Sequence, residues 1–167
     1  MQAAYHSRSL AFYTKLGFAV REPLAVMQGA PLLFAMEGCT VRPATLEDVP
    51  ACNAICGRVH GHLREGELLD AIAQGTARVV QRRDHISGYA TGLAFFSHAV
   101  GGAVIDIQAL IASAESFEGP GILVPIRQTE LFRWCLDNGL RVTQPLTLMT
   151  MGLYNDPQGA WLPSILF

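Results

Sequence analysis

Charge is scarce in this sequence. Only 16% of the residues are Asp, Glu, Lys or Arg, against 50% hydrophobic, and the formal net charge is −2. So even a balance leaves no basic footprint for nucleic acid. Long hydrophobic runs are missing as well. Arg, Glu, Asp or His interrupts every apolar segment before it reaches the length of a membrane span, so no membrane partner is expected. The opening Met-Gln-Ala-Ala-Tyr-His-Ser-Arg lacks the basic-then-apolar layout of a secretion signal, and the expected location is the cytoplasm. Cysteine is sparse and unpatterned. Cys39, Cys52, Cys56 and Cys135 match no zinc-ribbon or CxxC spacing; Cys52 and Cys56, four apart, read as two small buried thiols on one helix face, and no metal site is expected. What remains is a compact, apolar chain of 167 residues, enough to bury a proper core.

The chain is organised around Leu131 to Leu153, which reads as a helix stopping at Gly139 and feeding into a long strand. Leu10 to Met27 echoes it. At an offset of 122, Gly17 meets Gly139, Val20 meets Val142, Pro23 meets Pro145, Leu24 meets Leu146 and Met27 meets Met149. Phe12 meets Trp134. Self-similarity of this kind points to an internal repeat.

In order, Ser7 to Leu16 reads as an amphipathic helix capped by Ser7 or Ser9 and ended by Gly17. Phe18 to Gln28 follows as a strand bent at Pro23. Residues 29 to 38 are a linker with a short strand at Leu32 to Met36. Thr40 to Ala44 is a strand ending at Pro43. Thr45-Leu-Glu-Asp48 is a capping box with Asp in place of Glu, and Val49, Cys52, Ile55, Cys56 and Val59 form the stripe of the helix it starts. A helix over Leu63 to Ala73, strands Thr76 to Gln81 and Ile86 to Phe96, and a helix from Ala103 to Ser113 come next. Then follow strand Ile122 to Ile126, helix Thr129 to Asn138, strand Leu140 to Tyr154 and a last strand, Trp161 to Phe167. The pattern predicts an α/β (α+β) fold: a mixed, mostly antiparallel twisted sheet with helices on both faces.

Val41-Arg-Pro-Ala-Thr-Leu-Glu-Asp-Val resembles the opening strand and first helix of GNAT-type N-acetyltransferases. Ser9-Leu-Ala-Phe-Tyr-Thr-Lys-Leu-Gly-Phe is similar to that family's late helix. The whole chain resembles tandem GNAT-like proteins, with residues 1–37 as the helix–strand remnant of a first module and 38–167 as a complete second one. The resemblance implies an acetyl-CoA cofactor if the protein is active, and a Tyr of the late helix as general acid. That Tyr matches Tyr13 on the remnant; the complete module has Cys135 there. It also implies a Gln/Arg-x-x-Gly-x-Gly/Ala loop whose N–H groups hold the cofactor pyrophosphate. No such string is present; the nearest is Ser97-His-Ala-Val-Gly-Gly102. The expectation is therefore a degenerate module that binds a small molecule without transferring acetyl groups, with no cofactor. Two alternatives are an active acyl-CoA-dependent N-acetyltransferase with a nonstandard cofactor loop and a glyoxalase-like metalloenzyme, whose modules share Phe-Tyr-Thr-Lys-Leu-Gly-Phe.

The densest polar cluster is Val59-His-Gly-His-Leu-Arg-Glu-Gly-Glu67. In the family this connection borders the acceptor site. His60, His62 and Arg64 are candidates to bind an amine substrate, and Glu67 to act as its catalytic base. Arg127 closes a buried strand and is a candidate to pair with an anionic ligand, though Glu130 or a loop carbonyl would satisfy it equally well. His98 reads as a strand end, and Tyr89 and Thr91 as core. The apolar face of the remnant needs cover. The edge of the same chain's sheet or a second chain would supply it, and a homodimer is the favoured expectation.

Overall fold

A computed structural model describes residues 2–4 and 6–165, with side chains from residue 6 onward. The strands are β1 (Gln2–Ala4), β2 (Ala19–Gln28), β3 (Thr40–Pro43), β4 (Arg78–Arg82), β5 (His85–Ala90), β6 (Ala99–Gly101), β7 (Ile122–Pro125), β8 (Arg141–Thr150) and β9 (Ala160–Leu162). The helices are α1 (Ser7–Lys15), α2 (Val49–His60), α3 (Glu65–Ala73), α4 (Val104–Ala112) and α5 (Thr129–Asp137). Together they form a mixed α/β fold of two antiparallel sheets with covering helices. One sheet has the order β1-β8-β2-β7, the other β3-β4-β5-β6-β9. No helix among the described residues is long and apolar enough to cross a membrane.

Every bound of α1 and β2 lies 122 residues before the matching bound of α5 and β8. The two long strands lie antiparallel, with Leu24 opposite Leu146. β2 therefore docks inside its own chain, and not at a sheet edge: it runs between β8 and β7. The bend expected at Pro23 is displaced; the register slips between Val20 and Glu22 and again between Val26 and Met27. Alternation along β2 divides its side chains between two cores. Leu24 and Val26 join Leu123, Leu146 and Leu148 under α2 and α3, while Ala25 and Met27 join Ile122, Val124, Leu131 and Cys135 under α4 and α5.

Local chemistry sets the element ends. Thr45 N–H donates to Asp48 Oδ2 (2.8 Å), and Arg42 grips the same carboxylate with two bonds of 2.7 Å, so the chain turns from β3 into one 3-10 turn and then α2. α1 is capped by His6, whose Nδ1 accepts from Ser9 N–H (3.1 Å), where a serine cap was expected. Residues 32–36 form no strand; Phe34 N–H instead donates to the end of α4 at Ala112 O (3.3 Å). The strand expected over 86–96 stops at Ala90, because residues 91–98 make an excursion before β6 pairs back. The strand expected to end at Tyr154 stops at Thr150. Of the last strand, 160–162 pair with β6, and 166–167 lie outside the described residues. The cysteines are unpaired thiols; Cys52, Cys56 and Cys135 are buried, and burial pushes Cys52 and Cys135 up to about 12.

Candidate functional site

α2 ends at His60 because Gly61 takes the left-handed conformation (φ 75°) and closes the last turn on Gly57 O. The short connection to α3 then gathers the polar residues. His60 is buried edge-on against Trp161, with ring centroids 5.7 Å apart, and its ring lies 5.6 Å from that of the exposed His62. His62 Nδ1 and Asn155 Nδ2 both approach the His60 carbonyl at 3.2 Å. Burial, reinforced by His62 and Arg64, lowers His60 to about 3, so its imidazole is neutral at neutral pH.

Arg64, buried at the start of α3, holds Glu67 in a fork, Nε to Oε1 at 2.8 Å and Nη2 to Oε2 at 2.6 Å. Glu67 Oε2 lies 3.2 Å from His98 Nδ1, and His98 Nε2 lies 3.1 Å from the Tyr89 hydroxyl. The hydrogen bond from His98, then the Arg64 fork, draws Glu67 down to about 2. Burial keeps His98 below its usual range despite that neighbour, and burial raises Tyr89. Since a carboxylate only accepts, the neutral imidazole donates from Nδ1 to Glu67 and accepts a hydrogen bond from the Tyr89 O–H at Nε2. The result is a continuous line from a half-exposed anion to a buried phenol.

The structure thus joins His60, His62, Arg64 and Glu67 at one corner and adds His98, expected as a strand end, Tyr89, expected as core, and Asn155 and Trp161, which no sequence motif singles out. Strand alternation had placed Tyr89 inward; nothing local marks His98, because the excursion of residues 91–97 decides where β6 begins. Two other candidates lie outside this corner. Tyr13 sits on α1 against Phe12 and Phe18, with ring centroids 5.6 Å apart in both cases. Arg127 is held by buried Glu22, not Glu130: Nε to Oε2 is 2.7 Å and Nη2 to Oε2 is 2.6 Å, with Asp156 at 3.7 Å. It lines a cavity of about 300 Å³ with Gln128, Gly159 and Trp161. Among the described residues, no three His, Cys, Asp or Glu side chains are grouped to hold a metal ion.

α4, with its N-cap at Ala103, starts directly after Gly101 and Gly102. Here the Gly102 N–H donates to Ser87 O (2.9 Å) and the Ala103 N–H to Asp106 Oδ2 (2.8 Å). Asp106 is fully buried and also accepts from Arg82 Nε (2.7 Å) and Ser87 Oγ (2.6 Å). Glycine at 88 and 101 makes room for it, since a Cβ there would come 3.1 and 2.9 Å from the Asp106 Cβ. The N–H groups of Gly102 and Ala103 are thus both engaged within the chain, and β9 runs alongside β6 at the end of its sheet.

The sheet order and the helix positions define a GNAT-like acetyltransferase fold. Solved structures agree on the fold. A provisionally named acetyltransferase from Pyrococcus horikoshii aligns at TM-score 0.70 with 12% identity, over 93% of this chain and 54% of that one. A GCN5-related N-acetyltransferase from Sphaerobacter thermophilus aligns at 0.54 with 18% identity, over 93% and 61%. A provisionally named GNAT-family acetyltransferase from Novosphingobium aromaticivorans aligns at 0.50 with 17% identity, over 82% and 69%. The chain spans about half the length of the Pyrococcus protein. No protein-family model matches the sequence, and no curated protein sequence does.

Proposed function

We propose that this chain is a GNAT-fold module that binds a small amine at the α2–α3 corner and does not itself transfer acetyl groups. The observation that carries the reading is Asp106: a buried carboxylate with its own arginine sits at the helix end where a phosphate-bearing carrier would dock. A second anion there would face it at close range in a poorly solvated niche. The amine preference rests on Glu67, an anion half-exposed beside the neutral imidazoles of His60 and His98; an amine would share the exposed side of that carboxylate with the Arg64 fork. The common 122-residue offset of α1–β2 and α5–β8 supports a tandem origin, with residues 1–37 as the end of a first module and 38–167 as the second. The enzyme reading, an acyl-CoA-dependent N-acetyltransferase with a nonstandard cofactor loop, draws its support from the Glu67–His98–Tyr89 line, which has the form of a base with a proton path.

Nuclear magnetic resonance titration with n-butylamine, putrescine and spermidine tests the amine site. Shifts confined to the amides of residues 60–67 and 98, lost in Glu67→Gln, are expected. Shifts elsewhere, or none with any of the three, would remove the proposal.

A further inference from the structure

β9 is held in an unusual way. On one side it forms a ladder with β6, Ala160 opposite Gly101, Trp161 opposite Val100 and Leu162 opposite Ala99. On the other side β7 passes beside it without pairing. Among the described residues, a side chain stands in for a strand at this edge. The Gln128 amide accepts from Trp161 N–H (3.4 Å) and donates to Trp161 C=O (3.0 Å), which is what one residue of a neighbouring strand would do. Two backbone bonds pin the flanks: Gln158 N–H to Val59 O (2.8 Å) and Ile165 N–H to Phe95 O (3.1 Å). The side chains divide as a strand's should. Trp161 enters the core with Val59, Tyr89 and Val100, while Ala160 and Leu162 enter the core with Ile107 and Val124. Gly159 passes so close that a Cβ would lie 2.9 Å from Gly101 O. The stretch before it, 151–159, has no regular structure and is mostly exposed.

We propose that the gap between β6 and β7 is a strand-binding groove, and that residues 158–165 are its resident, detachable ligand. The class of ligand is an extended peptide carrying a small, an aromatic and an aliphatic side chain in succession. Affinity comes from main-chain bonds to β6 and the Gln128 amide, and selectivity from the two cores that the alternating side chains enter. Detachability follows from the asymmetry: a three-residue strand with one ladder, on an irregular tether, opens more readily than β5 or β6, which are paired on both sides. The proposal does not require that the corner binds an amine, although release of β9 would also carry Trp161 away from His60.

The test uses a labelled peptide, Pro-Gln-Gly-Ala-Trp-Leu-Pro-Ser-Ile, and the full chain. In the variant Trp161→Gly/Leu162→Gly the resident strand is weakened. Fluorescence anisotropy should show the peptide binding this variant at least ~100-fold more tightly than the unaltered protein. Replacing the peptide's Trp with Ala should abolish the gain. Equal binding to both proteins, or none to a folded variant, would overturn the proposal. If the variant does not fold, hydrogen exchange on the unaltered protein decides. The Trp161 amide should exchange at least ~10-fold faster than β5 amides, and Gln128→Leu should accelerate Trp161 alone. Trp161 exchanging only together with β5, or unaffected by Gln128→Leu, would show that β9 is a fixed part of the sheet.

Discussion

Asp106 and His60 are both buried, the first held by an ion pair and the second packed on Trp161. Asp106 caps the start of α4 and pairs with Arg82, so Asp106→Ala leaves the guanidinium without its carboxylate and the Ala103 N–H without its cap. Arg82 keeps 37% of its side chain in solvent, so a loss of about 2–3 kcal/mol in urea unfolding is expected, less than for a fully buried pair; a loss under about 1 kcal/mol would mean that the niche relaxes freely. His60 is neutral when folded, with a pKa lowered from 6.5 to about 3. The unfolded chain therefore binds more protons between those values. The stabilisation is fully present above about pH 6.5 and is lost as pH falls toward 3. Glu67, lowered from 4.5 to about 2, adds a further loss below pH 4.5. Urea midpoints measured between pH 7.5 and 4.5 should fall, and His60→Phe should flatten the upper part of that slope. A midpoint independent of pH across this interval would contradict the buried, neutral assignment.

At the scale of elements, β2 is the most consequential strand. It pairs on both sides, and each face enters a different core. Deleting residues 1–36 should therefore abolish cooperative unfolding, seen as loss of near-ultraviolet dichroism; a deletion variant with the unaltered melting temperature would mean that β2 is dispensable. Helix and strand positions were largely readable because their signals are local. Gly17 and Gly139 end α1 and α5, and Thr45 with Asp48 starts the turn into α2. The placement of β2 between β7 and β8 was not readable, since an edge-strand site and a central one ask for similar residues in a ten-residue run. The candidate site divides in the same manner. His60, His62, Arg64 and Glu67 stand within eight residues and could be found together. His98 and Tyr89 complete the line only through the excursion of 91–97, and Arg127 went to Glu22 because a register slip in β2 presents that carboxylate.

At the scale of the molecule, the α1–β2 and α5–β8 pairs differ in what they bury. α5 buries Leu131 and Cys135, whereas α1 buries nothing, and Leu10, Phe12, Leu16, Val20 and Met151 remain exposed. Such a patch favours association. Light scattering should report a dimer that Phe12→Glu/Leu16→Glu converts to monomer; an unaltered protein that is monomeric at high concentration would contradict this. Isothermal titration with acetyl-CoA measures whether the capped start of α4 leaves room for a phosphate-bearing carrier. With Asp106 at the α4 end and β9 beside β6, binding should be weaker than about 1 mM, or about −4 kcal/mol. Low-micromolar binding, about −8 kcal/mol, would contradict the account and favour the enzyme.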